Sequence, residues 1–190
     1  MIHVNDNLFG YMPDWTNGVT IRYRMATVTS QTRKLKEQRK PLLDELKRRM
    51  TLEYWQDNCV DKTIIENFLK YYRSAAFYVP IPCEPITITD TGDLSGGNSL
   101  NITDAQYFYN YKNLTDYVML YDLEKSVQVE KIGVISAGDT TLGLSSNIVG
   151  SFDGAKTIVY PLMACILSSK SMGDITDTIR RYTLDFEEIF

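Results

Sequence analysis

A chain of 190 residues with 44% hydrophobic and 12% aromatic residues holds material for one well-packed domain, which excludes global disorder. No apolar run approaches the roughly 20 residues that span a bilayer as a helix. The start, MIHVNDNLFG, lacks the basic flank and apolar stretch of a signal peptide, so synthesis in the cytoplasm without membrane insertion is expected. The net charge of −4 argues against a dedicated nucleic-acid binder, because phosphate neutralisation needs a net basic face.

Gly18 to Thr29 (GVTIRYRMATVT) alternates apolar Val19, Ile21, Tyr23 and Met25 with polar neighbours, the period of a half-buried strand. Gln31 to Arg49 is a charged insertion, a loop or a helix. Pro41 suits a first helical turn, which would set Leu42, Leu43 and Leu46 on one face and Lys47, Arg48 and Arg49 at the C-terminal dipole. Met50 to Gln56 alternates again as a strand. Asp61 to Tyr72 predicts a helix, within about 61–73, capped by Asp61 and carrying Ile64, Ile65, Phe68, Leu69 and Tyr72 at helical spacing.

From Ala76 onwards the pattern is β: 77–79, 86–89, 117–121, 126–134, 140–144, 157–168 and 180–190. Turn chemistry lies at 89–98, 137–139 and 152–154. Short strands, frequent turns and one or two helices predict a mainly β domain over 1–190, a β-sandwich or split β-barrel. No internal repeat or low-complexity linker interrupts it.

Charge is unevenly spread. Residues 22–49 carry ten Lys or Arg and three acids, while the rest of the chain carries ten basic and twenty-one acidic residues. A basic segment on an acidic body marks either nucleic-acid contact or a protein that binds copies of itself head to tail. The plainer reading is a solvated face. Trp15 and Trp55 belong in a core or a subunit contact.

Little in the sequence supports catalysis. His3 is the one histidine, and a Ser–His or Cys–His device needs a histidine held rigidly by a third group. No phosphate loop, dinucleotide fingerprint or HExxH motif is present. Cys59, Cys83 and Cys165 are widely spaced and read as reduced thiols, not as a metal or disulfide set. Asp90 and Asp93 around Gly92 fill only part of a calcium loop, and a solvated turn explains them better. Glu187 and Glu188 point to opposite faces of a strand, so they make no acid–base pair. No catalytic residue, cofactor or metal is therefore expected.

Several short motifs, in order along most of the chain, resemble a family of tailed-bacteriophage distal-tail and tail-tip (baseplate hub) proteins. They are Pro13-Asp14-Trp15 leading to Val19, then Thr27 and Ser30, Glu37-Gln38-Arg39, and Thr51-Leu52-Glu53-Tyr54. Phe77-Tyr78-Val79-Pro80, Val159-Tyr160-Pro161-Leu162 and Thr183-Leu184-Asp185-Phe186 follow. The chain departs from the pattern twice. No glycine precedes Glu-Gln-Arg, and Arg48-Arg49 stands where a Pro-Arg pair is usual.

The resemblance implies a virion structural protein without enzyme activity. It would form or dock on a ring that joins the tail tube to the host-recognition apparatus. Its partners would be copies of itself, the tail tube and other tail-tip proteins, with no sequence-specific nucleic acid. Asp14, Trp15, Glu37, Gln38, Arg39, Pro161 and Leu162 form the expected interface or structural signature, with Arg39 held by carboxylates. Arg33, Lys34 and Lys36 are the basic interface candidates. A receptor- or carbohydrate-binding β-sandwich, with rings from Tyr107 to Tyr111 as sugar platforms, is the alternative. A tail-associated glycan hydrolase is a more distant third.

Overall fold

The computed structural model describes residues 7–13, 19–24, 27–31, 37–41, 47–57, 59–103, 117–124, 128–138, 140–174 and 179–189. In chain order its elements are β1 (Thr20–Arg24), β2 (Thr27–Gln31), β3 (Glu37–Pro41), β4 (Lys47–Gln56), α1 (Cys59–Tyr71) and β5 (Phe77–Pro80). They continue with β6 (Ile86–Thr87), β7 (Ser99–Asn101), β8 (Tyr117–Asp122), β9 (Val129–Ala137), β10 (Thr141–Leu144), β11 (Thr157–Asp174) and β12 (Arg180–Glu188). Among the described residues ten strands make one antiparallel sheet, in the order β1-β4-β12-β11-β8-β9-β10-β7, with β5 and β6 added along β11. The sheet is large and not closed into a barrel, and the fold is mainly β with a short helix, as the sequence implies.

Burial follows the sequence period. In β4, Arg48, Met50, Leu52 and Tyr54 point inward while Arg49 and Trp55 are exposed. In β12, Tyr182, Leu184, Phe186 and Glu188 point inward by the same alternation. That inner face is covered by α1, whose Ile65, Phe68, Leu69 and Tyr72 are buried against it. Phe9 completes the cluster, edge-on to Tyr54 at 5.2 Å between centroids and tilted against Phe68 at 5.2 Å. Each such side chain contributes about 1.5–3 kcal/mol of burial, so this face holds much of the stability. Phe68→Ala alone would cost about 3–5 kcal/mol.

A second apolar cluster lies further along the sheet. Ile86, Leu100, Val118, Leu120, Ile132, Leu142, Phe152 and Val159 pack there. The 18-residue β11 joins the two regions. Its first residues, Thr157–Pro161, pair with β8, and its later ones, from Cys165 on, pair with β12. Pro161 sits where the strand changes partners. Lacking an N–H, proline is tolerated in a sheet where the ladder is interrupted, and here its carbonyl accepts the Ile81 N–H at 2.9 Å.

Three sequence expectations are corrected. Pro41 does not open a helix but closes β3, and Lys47, Arg48 and Arg49 begin β4 rather than ending a helix. The leucines at 42, 43 and 46 lie outside the described residues. The strand expected over Gly18 to Thr29 is two strands in different sheets, β1 beside β4 and β2 beside β3. Helix α1 starts at Cys59, so Asp61 lies in its first turn instead of capping it. An acid in the first turn still favours the helix dipole, as does Lys70 in the last turn.

Candidate interaction surface

The face of β4 and β12 turned away from α1 is polar. Arg49, Thr51, Glu53 and Trp55 alternate along β4, opposite Glu187, Asp185, Thr183 and Arg181 of β12. Arg22 of β1 lies beside Arg49. These side chains are exposed or half-buried, and antiparallel sheets commonly keep one such wet face. Trp55 is 43% exposed on it. Its partner across the strands is the exposed Arg181, and Trp and Arg are residue types enriched at protein contact surfaces.

Hydrogen bonds fix that face. The Asp185 carboxylate accepts from Ser169 Oγ at 2.6 Å, from Thr51 Oγ1 at 2.5 Å and from the Arg49 guanidinium at 2.8 Å. It thereby ties β11, β4 and β12 together. Burial acts to raise its pKa, but the bonds from Ser169, Thr51 and Arg49 outweigh burial and hold the carboxyl below its ordinary value.

On the helix side of the same strands, Arg48 and Glu188 form an ion pair that sequence reasoning missed. They are 2% and 1% exposed. Arg48 Nε lies 3.0 Å from both carboxylate oxygens, and the Arg48 backbone N–H donates to Oε2 at 2.9 Å. The partners stand 140 residues apart in the chain, so no local spacing could signal them. The only trace is a pair of arginines at the start of an alternating strand.

Few of the expected site residues are described. Glu37, Gln38 and Arg39 lie on β3 opposite Gln31, Ser30 and Thr29. Their side chains, and with them the carboxylate partners expected for Arg39, lie outside the described residues. So do Asp14, Trp15, Arg33, Lys34, Lys36, His3 and Tyr107 to Tyr111. Pro161 and Leu162 are buried within β11, where they pack as part of the sheet.

The acid-rich turn is built from internal bonds. The Asp90 carboxylate accepts the Asn101 backbone N–H at 2.8 Å and its side-chain amide at 2.6 Å. Asp93 accepts the Ser95 N–H at 3.0 Å and hydroxyl at 2.6 Å, and Gly92 supplies the positive φ of 100° that the turn requires. Among the described residues no cluster of three or more His, Cys, Asp or Glu could hold a metal ion. Cys83 is an exposed free thiol, and Cys165 is a buried one that burial pushes well above the usual range.

β2 and β3 pair only with each other among the described strands and add nothing to the main sheet. Arg33, Lys34 and Lys36 fall between them in sequence. No known protein family matches the chain, and no curated protein matches it.

Proposed function

We propose that this is a virion structural protein of a bacteriophage tail tip, which assembles with copies of itself and with other tail proteins on a ring below the tail tube. The ordered motifs from Pro13-Asp14-Trp15 to Thr183-Leu184-Asp185-Phe186 suggest the family. The observation that carries an assembly role is the β2–β3 hairpin. A two-stranded ribbon is marginal in water by itself and needs a surface to rest on. This one is basic, with Arg39 and Lys40 on β3, while the rest of the chain is acidic.

A closed ring uses a heterologous contact, in which one patch of a subunit meets a different patch on its neighbour. A basic arm meeting an acidic body suits that arrangement and would set orientation and encounter rate. The polar face bearing Trp55 offers a second contact for a tail partner. An acidic lumen would let DNA pass without sticking. In this reading the chain works by position and carries out no catalysis.

Size-exclusion chromatography with light scattering tests the reading. A ring former self-associates with rising concentration or on addition of tail-tube protein. A mass that stays monomeric in both conditions, with saturable glycan binding instead, would replace it by the lectin alternative.

A further inference from the structure

Beyond Cys165, β11 has a strand on one side only among the described residues. Cys165 itself lies between Phe77 of β5 and Glu188 of β12, whereas Ile166–Asp174 pairs with β12 and with no other described strand. Residues 168–173 are all exposed. Among the described residues, a row of backbone donors and acceptors about nine residues long is thus left open on an antiparallel sheet, which is a template for strand pairing.

On the helix side of this segment lies a groove of about 860 Å³ between β11, the start of β12 and helix α1. Lys70 and Arg73 reach it from the helix end, Lys170 from β11 and Arg180 from β12, with Glu66 as the one acid among the described lining residues. Arg180 is ion-paired with Glu66. Lys70, Arg73 and Lys170 form no ion pair among the described residues. Three cations that form no ion pair among the described residues, gathered in one groove on a chain of net charge −4, are a local exception to the protein's overall sign.

We infer that the outer edge of β11 is a binding site for an extended acidic peptide segment of another protein chain. That segment adds as a further strand beside Ile166–Asp174, with alternate carboxylates over Lys70, Arg73 and Lys170. Strand addition supplies affinity through main-chain hydrogen bonds, and the groove supplies specificity through every second side chain. Charge complementarity selects an acidic segment. The backbone edge selects a polypeptide over a nucleic acid, which would use the cations but leave the edge unpaired. The inference stands apart from the tail-tip reading and survives if that reading fails.

The probe is a fluorescent ten-residue peptide alternating threonine and glutamate, followed by anisotropy on the full chain. Controls are the same peptide with N-methylated backbone amides, its lysine counterpart, and a single-stranded oligothymidylate. The acidic peptide should bind saturably and slow amide exchange in residues 168–173, and the three controls should not. Lys70→Glu with Arg73→Glu, both exposed and outside the core, should weaken binding by about tenfold with an unchanged circular dichroism spectrum. The inference is overturned by absence of saturable binding, by an unchanged affinity in the double variant, or by equal binding of the N-methylated peptide. Equal binding of oligothymidylate overturns it in favour of a nucleic-acid groove.

Discussion

Arg48 and Glu188, 140 residues apart in the chain, are held in a buried bidentate pair that joins the start of β4 to the end of β12. Taking either charge away leaves the other buried without compensation, which costs about 3–5 kcal/mol. Glu188→Gln should therefore lower the stability measured by urea unfolding by roughly that much. Arg48→Met combined with Glu188→Leu should recover most of the loss, because an apolar pair of similar volume needs no desolvated charge. A single-variant loss below about 0.5 kcal/mol would place the pair in solvent, against its burial.

Tyr54 gives the opposite sign. Its ring packs edge-on to Phe9, but its hydroxyl is fully buried and has no hydrogen-bond partner among the described residues. Burial pushes the phenol well above its usual value, with the nearby Cys165 adding to the shift. Tyr54→Phe keeps the packing and removes an unsatisfied polar group, so stability should rise by about 1 kcal/mol. Thermal unfolding of the two proteins decides it, and a lower midpoint for the phenylalanine variant would contradict the account.

Asp185 makes stability depend on acid. Its carboxyl titrates below the ordinary 3.8 when folded, so its bonds contribute fully above that value. The contribution is lost as pH falls below about 4 through the lowered folded pKa, since the unfolded chain then binds the proton more readily. In Asp185→Asn this increment should vanish, so the stability of the two proteins should differ most above the ordinary 3.8 and converge as pH falls through the lowered folded pKa. An equal difference at every pH would show that charge plays no part at this site.

Much of the sheet was legible in the sequence, because period-two burial in β4 and β12 depends on one residue and its nearest neighbours. Helix α1 was legible for the same reason, through Ile65, Phe68, Leu69 and Tyr72. Three kinds of information were not local. Lys47, Arg48 and Arg49 look like a helix end until Glu188 is known to lie across from Arg48. The three-residue β7 is too short to carry a period. The polar run 168–174 continues β11 because β12 pairs with it, not because its residues favour a strand. The signature region was legible only as a resemblance, since Glu37 to Arg39 carry no spacing that fixes a partner.

The basic segment yields a prediction about assembly. Reversing Arg33, Lys34 and Lys36 together to glutamate should slow self-association while leaving the unfolding midpoint within a few degrees of wild type. Raising salt should slow the unmodified protein likewise, since exposed charges are screened within roughly 8 Å at physiological ionic strength. Light scattering against time at two salt concentrations measures both. Identical assembly curves for the reversed and original proteins would remove the hairpin from the contact.

The protein's proposed place in the virion is decisive. Phage particles carrying a tagged copy of this chain, labelled with affinity gold and imaged by electron microscopy, test it most directly. The account predicts gold confined to the far end of the tail, at the junction of tube and host-recognition apparatus. Label on the head or along the tail shaft, or particles that bear no label while the tagged protein stays free in the lysate, would contradict it.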